Sequence, residues 1–216
     1  MTEPLRLAYL HGFASGPGST KGLALEASLA SRGHRLMRPD LNKPRFQELT
    51  VTSALEVMDA LDASQPGGGR WQLVGSSMGG YITALWASLH PTRVERMLLL
   101  CPGFDLVDRW TEGLGPQAMG EWRRTGMHLF PDATGAEVGV HWGLVEDAAR
   151  HPGRPVPPCP TRIVHGIHDE VVPIQSSRSH AAAFPGVELV EVDSDHRMSD
   201  QIPRIAREME QFFHLD

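Results

Sequence analysis

Short apolar runs alternate along this chain with stretches in which apolar residues recur at helical spacing. This alternation is typical of a parallel sheet with helices on both faces, because each strand needs a crossover helix before the next. Val94–Leu100 ends in an uninterrupted apolar run, Met97–Leu100, as expected of a central strand buried on both sides. Further strands are predicted over residues 5–10, 35–37, 71–74, 161–165 and 187–192. We therefore expect a doubly wound α/β fold with a mostly parallel sheet of about six strands.

The predicted helices fall between these strands. The first begins near Ser19 or Thr20, whose hydroxyl can cap free amides, and ends at Gly33, which suits the left-handed position after a helix. The last begins near Pro203, a favourable first-turn residue. Apolar periodicity predicts two more helices, over residues 50–61 and 81–89.

Residues 104–158 interrupt the pattern. They form a run of about fifty residues with no clear strand, much longer than an ordinary connection. The run contains Trp110, Trp122 and Trp142, which need a place to be buried. We predict a small helical cap, or lid, over the strand ends, with a partly disordered insertion as the alternative. The whole chain, residues 1–216, is otherwise expected to form one domain.

Composition bears on partners and compartment. The formal net charge of -6 gives no electrostatic reason to expect binding to nucleic acid or to an anionic membrane. We expect no leader peptide at the N-terminus and no membrane span, because no apolar run is long enough. Cys101 and Cys159 match no metal or redox spacing, and we expect them to lie too far apart for a disulfide. These features predict a reduced, cytoplasmic protein and leave its oligomeric state open.

The motif Gly75-Ser-Ser-Met-Gly79 matches G-x-S-x-G and lies between a predicted strand and a predicted helix. In this setting the central serine occupies a tight, strained turn, and glycines two residues away avoid clashes with it. Gly80 lets the helix lie close to the sheet. We predict Ser77 as a nucleophile at the positive end of that helix, whereas Ser76 falls one place off the motif.

A neutral serine needs a base, and the base needs an acid that orients it. His196 follows the last predicted strand and is the expected general base; Asp169 follows the strand before it and is the expected acid. Parallel strands end at one edge of the sheet, so these side chains can converge with Ser77 there. Asp105, which follows the central strand, remains the alternative acid. Asp195 is expected to shape the loop beside His196.

An oxyanion hole should complete such a site, because the tetrahedral intermediate needs preorganised N–H donors. The backbone amide of Met78, the residue after the nucleophile, is the first predicted donor. The second is the amide of Phe13, in the loop after the first strand. The ring of Phe13 could also form a wall of the acyl pocket, and the two roles are compatible.

Two other kinds of site were compared with the sequence. The glycine-rich residues 12–22 fail the P-loop pattern because Lys21 follows the serine and threonine, and they fail the dinucleotide pattern because Gly22 comes one place late. His165 and His168 beside an aspartate do not complete a convincing metal-ligand set. We therefore expect neither a cofactor nor a metal.

Together, these motifs resemble the α/β-hydrolase superfamily, and more narrowly its small esterases and thioesterases of the YqiA type. The later motifs also resemble mitochondrial α/β-hydrolase-domain enzymes that remove acyl groups from protein cysteines or acyl glucuronides. The resemblance implies a metal-free ester or thioester hydrolase with Ser77, Asp169 and His196 in the triad positions. The sequence departs from larger family members in having no predicted strands before Leu5, so we expect a reduced form of the sheet. The matching stretches are residues 10–15, 19–22, 75–81, 159–166, 169–173 and 194–198.

The function predicted from these residues is hydrolysis of carboxylic esters or thioesters of small to medium acyl groups through an acyl-enzyme. A serine nucleophile argues against a haloalkane dehalogenase, which uses an aspartate, and against a dienelactone hydrolase, which uses a cysteine. Lyase and carbon–carbon hydrolase chemistries use the same triad and stay open. Two further alternatives concern the function itself. One is a thioesterase for acyl-protein or acyl-carrier substrates, and the other is a catalytically silent module that binds a small ligand or partner.

Overall fold

The computed structural model describes residues 5–215. Residues 1–4, part of the stretch where no leader peptide is expected, lie outside the described residues, as does residue 216. Six strands form one parallel sheet in the order β2-β1-β3-β4-β7-β8, and two form a separate antiparallel hairpin. The strands are β1 (Arg6–Leu10), β2 (Leu36–Met37), β3 (Trp71–Ser76), β4 (Val94–Leu100), β5 (Met127–Pro131), β6 (Glu137–His141), β7 (Thr161–Gly166) and β8 (Val187–Val192).

The helices begin where the sequence supplies caps. The Ser19 side chain accepts a hydrogen bond from the Gly22 amide at the start of the first helix, and Thr50 and Ser53 form a reciprocal capping box at the start of the second. Two short 3-10 turns cover Phe46–Glu48 and Ser199–Gln201. The helices are α1 (Thr20–Ala30), α2 (Val51–Ala63), α3 (Met78–Leu89), α4 (Leu106–Thr125), α5 (Gly143–Ala148), α6 (Gln175–Ala183) and α7 (Ile202–Phe213).

Each face of the sheet has its own apolar core, because successive residues of a strand point to opposite faces. On β1, Leu7 and Tyr9 belong to the core beneath α1 and α7, whereas Ala8 and Leu10 belong to the core beneath α2 and α3. The predicted doubly wound fold with a six-stranded parallel sheet is therefore confirmed.

The carboxyl ends of the neighbouring strands lie at one edge of this sheet. The parallel register pairs the last residue of β4, Leu100, with Val164, and the last residue of β7, Gly166, with Val192. The loops that follow β1, β3, β7 and β8 therefore meet, as the sequence-based placement of the site requires.

The segment between β4 and β7 is more than the helical cap that the sequence predicted. Its helices α4 and α5 are joined by the β5–β6 hairpin, so the expectation that this segment holds no strand is wrong. The hairpin turn is closed by Asp132, whose Oδ1 accepts hydrogen bonds from the amides of Thr134 and Ala136, and by Gly135 at φ +87°. An aspartate and a glycine between two short alternating runs are a hairpin signal that helical periodicity does not detect.

Aromatic contacts join this segment to the core, which contradicts a partly disordered insertion. Trp122 is fully buried and packs against Trp110 and Trp142 at ring-centroid distances of 5.9 and 5.6 Å. Phe13, from the loop after β1, lies 5.7 Å from Trp110 and 5.0 Å from Phe130 of the hairpin. The loop that carries Phe13 is thus held between the core and residues 104–158.

Two further sequence-based expectations concern thiols and membranes. Cys101 is buried and Cys159 partly buried, and both are free thiols. No helix within residues 5–215 combines the length and the apolar character needed to cross a bilayer.

Candidate active site

Ser77 alone makes the turn between β3 and α3. Its backbone has φ 54° and ψ -122°, a conformation that non-glycine residues rarely adopt. The neighbouring glycines permit the turn: a Cβ at Gly75 would overlap the carbonyl oxygen of Gly79, and a Cβ at Gly79 would overlap that of Leu10. The chain therefore presents the Ser77 side chain above the carboxyl edge of the sheet, as the motif predicts.

Ser77, His196 and Asp169 lie in one hydrogen-bonded line. His196 Nε2 is 3.0 Å from Ser77 Oγ, and His196 Nδ1 is 2.6 Å from Asp169 Oδ2. The carboxylate accepts from Nδ1–H, which leaves Nε2 as the acceptor for the serine hydroxyl. The structure thus brings together three side chains from the ends of β3, β7 and β8.

The Asp169 side chain is fully buried and surrounded by N–H donors. Its Oδ1 accepts hydrogen bonds from the amides of Val171 and Val172 at 2.9 and 2.7 Å, and its Oδ2 also lies 3.2 Å from His165 Nε2. Burial by itself would raise the pKa of Asp169, but the N–H groups of His165 and His196 hold that pKa well below its usual range. The carboxyl is therefore ionised at neutral pH.

The alternative acid, Asp105, forms an ion pair outside the Ser77–His196 line. Asp105 has a left-handed backbone conformation before α4, and its carboxylate accepts a hydrogen bond from Arg154 Nε at 2.6 Å. Asp195 Oδ1 accepts from the amides of Arg197 and Met198, so it shapes the loop beside His196 as expected.

The two predicted oxyanion donors flank Ser77. Phe13 lines the same cavity as Ser77, and a Cβ at its neighbour Gly12 would lie 3.2 Å from the Ser77 Cβ. Among residues 5–215, no backbone hydrogen bond occupies the Phe13 amide. Met78 is the first residue of α3, and the first amides of a helix have no partner within it. Neither N–H group therefore has a hydrogen-bond partner among residues 5–215, as the predicted role requires.

A cavity of about 780 Å³ opens beside Ser77 and His196. One wall is the loop over residues 12–21, and another is the hairpin turn over residues 131–135. Apart from Phe13 and a few small apolar residues, much of the lining is polar. The polar side chains around it include Ser15, Ser19, Thr20, Lys21, Arg197 and Ser199.

Cys101, His165 and Asp169 place possible ligand atoms within 4.8 Å of one another, which raises the question of a metal. His165 Nε2 faces two acceptors, Asp169 Oδ2 and the Val172 carbonyl, so it must carry a proton and cannot coordinate. Burial raises the pKa of the Cys101 thiol, whereas a metal needs the thiolate. Hydrogen bonding accounts for this cluster, and its donor set does not fit a metal.

The sequence did not reveal the role of the residues behind the triad positions. The sequence around His165 suggests only a metal ligand, because its contact with Asp169 depends on a turn that sequence patterns do not describe. The sequence around Lys21 suggests only a phosphate ligand, yet its Nζ donates to the Arg197 carbonyl at 2.8 Å and ties α1 to the loop that carries His196.

Residues 6–215 match the uncharacterised protein family UPF0227. The chain belongs to this family. Over 90% of its length, this UPF0227 chain is 27% identical to the Bos taurus protein named palmitoyl-protein thioesterase ABHD10, mitochondrial, and covers 68% of that protein.

Solved structures give the same picture of the fold. The alpha/beta hydrolase domain-containing protein 10 from mouse has a TM-score of 0.79 at 25% identity, with 99% of this chain and 90% of that chain covered. A protein of Agrobacterium vitis S4 has a TM-score of 0.85 at 26% identity, with 100% and 90% covered. With the observed sheet, these similarities confirm that the UPF0227 chain is an α/β hydrolase of the predicted superfamily.

Proposed function

We propose that this UPF0227 chain is a serine hydrolase that cleaves carboxylic esters or thioesters through an acyl-enzyme on Ser77. The observation that carries the proposal is the line from Ser77 Oγ through His196 to the buried Asp169 carboxylate, with separations of 3.0 and 2.6 Å. Ser77 and His196 line a cavity large enough for a small to medium substrate.

The chemistry follows from the roles these atoms can take. His196 Nε2 accepts the Ser77 proton as Oγ attacks the substrate carbonyl carbon, and ionised Asp169 stabilises the imidazolium that forms. The amides of Phe13 and Met78 donate to the oxyanion. His196 then gives its proton to the leaving alcohol or thiol. A water, deprotonated by His196, releases the acid and restores the Ser77 hydroxyl.

Residues 104–158 act in this proposal as a cap that limits the acyl group. The hairpin turn lines the cavity opposite the loop after β1, and aromatic side chains fill the space beneath the hairpin. A cavity of about 780 Å³ has room for small to medium acyl groups.

The cytoplasmic location predicted from the sequence stays a prediction.

The name of the Bos taurus relative favours a second candidate function, that of a thioesterase for acylated proteins. The test measures kcat/KM for an oxyester and a thioester that carry the same acyl group. Each value is divided by the rate of alkaline hydrolysis of that compound, which corrects for its intrinsic reactivity. A preference of tenfold or more for the thioester after correction would favour the thioesterase. Equal values would favour the general esterase.

Fluorophosphonate labelling with mass mapping of the labelled peptide tests the nucleophile. We expect the label on Ser77, its loss in Ser77→Ala, and its retention in Ser76→Ala, which removes the adjacent serine. Turnover of a short-chain ester should fall in Ser77→Ala by a factor on the order of 10⁶, because the triad acts as a unit. A folded wild-type chain that takes no label would contradict the proposal and favour the catalytically silent binding module.

A further inference from the structure

His165, the second-last residue of β7, is a fully buried histidine directly behind Asp169. Its Nδ1 lies 2.7 Å from Ser177 Oγ of α6, and its Nε2 lies 2.9 Å from the Val172 carbonyl oxygen. Nε2 faces acceptors only, so the hydrogen-bond network assigns the proton to Nε2 and makes Nδ1 the acceptor for the Ser177 hydroxyl. The ring is thus fixed on both sides.

Val172 connects this histidine to the proposed acid. Its carbonyl oxygen accepts from His165, while its amide donates to Asp169 Oδ1 at 2.7 Å. The turn from Asp169 to Val172 is therefore tied to His165 at the residue that also holds the carboxylate. From α6 to the nucleophile, one continuous series of contacts runs through Ser177, His165, Val172, Asp169, His196 and Ser77.

We propose that His165, supported by Ser177, is a positioning residue: it fixes the turn after Asp169 and so keeps the Asp169 carboxylate in line with His196. This inference rests on the proposed function and adds a role to two residues that have no part in the chemistry of the bond cleaved. Hydrogen bonds to the residues that hold a reacting group, rather than to the substrate, fix the orientation of that group in preorganised sites.

Simple packing is the competing explanation for a buried histidine, and the same helix offers a comparison. His180 of α6 is also buried, but neither ring nitrogen has a hydrogen-bond partner among residues 5–215. It stacks on Phe104 at 4.4 Å and contacts Phe184 at 4.9 Å. His180→Phe should preserve these contacts, which makes it a matched control for His165→Phe.

Several other titratable groups influence this cluster and stay constant in the comparison. The Cys101 thiol and Lys21 interact electrostatically with Asp169, and Glu191 of β8 interacts with His165. None of them is changed in the variants, so a shifted pH profile reports the loss of the His165 contacts.

The test is the rate of fluorophosphonate labelling of Ser77 as a function of pH, which requires no identified substrate. In His165→Phe we expect the plateau rate to fall about tenfold, the effect of one well-placed hydrogen bond on a rate. The midpoint of the acid limb should also move to lower pH, because a loosely held carboxylate stabilises protonated His196 less. His165→Gln, whose amide can donate to Val172, should recover most of the rate, and His180→Phe should match the wild type.

Each outcome decides the question. A wild-type rate and midpoint in His165→Phe would overturn the inference, and so would an equal loss in His180→Phe. If circular dichroism shows that His165→Phe does not fold, Ser177→Ala takes its place: a shift in the same direction supports the inference, and an unchanged profile overturns it. A wild-type chain without label would overturn the proposed function itself, which is a separate result.

Discussion

The two candidate acids differ in what surrounds each carboxylate. Asp169 is buried and accepts hydrogen bonds from His196 and two amides, whereas Asp105 pairs with Arg154. Both follow strands whose carboxyl ends lie at the same edge of the sheet, so strand order alone could not separate them. The placement of Ser77 and His196 next to one another was easier to predict, because a local motif marks one and the order of serine, acid and histidine marks the other.

Substitution of each acid by its amide tests this difference. Asp169→Asn should lower kcat on a short-chain ester by about 10⁴-fold, because an amide favours the wrong tautomer of the histidine. Asp105→Asn should change kcat by less than about threefold, since it weakens only an ion pair that is partly exposed to solvent. A greater loss in Asp105→Asn, measured on folded protein, would show that Asp105 is the acid.

Among the secondary-structure elements, those with a strong apolar pattern were predicted best. The predicted bounds of β4 and β8 agree with the structure, because apolar residues predominate in both strands and turns flank them. Helix α6 was missed: its sequence is rich in serine, and its first residues lack a side-chain cap, so its stability comes from packing against β8. For the same reason the sequence could not place Ser177 near the site.

The turn between β3 and α3 makes a prediction about stability. Gly79→Ala should lower the free energy of unfolding by about 3 kcal/mol or more, because the new Cβ would overlap backbone oxygens of Leu10 and His11, which cannot move aside. Gly113→Ala is the matched control, since a Cβ there meets nothing within 4 Å on an exposed part of α4. It should raise stability by up to about 1 kcal/mol. Urea unfolding that ranks the two variants equally would contradict this account of the turn.

At the scale of the whole molecule, the buried His180 links stability to pH. Burial, reinforced by the charge of Arg154, lowers the pKa of His180 from its ordinary 6.5 to about 4. Between these two values the unfolded chain binds a proton at this position and the folded chain does not. The contribution of neutral His180 to the free energy of unfolding is therefore fully present above about pH 6.5 and is lost as the pH falls toward 4.

His180→Phe should remove this dependence. Between pH 7 and pH 4.5 the wild type should lose up to about 3 kcal/mol more of its free energy of unfolding than the variant does. Urea unfolding of both proteins at the two pH values measures the difference, and it cancels the contributions of all other titratable groups. Equal losses would show that His180 takes up a proton in the folded state.

The proposed catalytic groups come from two separate stretches of the chain. The nucleophile and both oxyanion amides come from residues before β4 begins, and the acid and base come from residues after β7 begins. The two stretches meet where β4 pairs in parallel with β7, from Met97↔Thr161 to Leu100↔Val164. Residues 104–158 connect these two strands and form no part of the six-stranded sheet. The length and sequence of residues 104–158 can therefore change without altering the β4–β7 register, which keeps the proposed catalytic residues aligned.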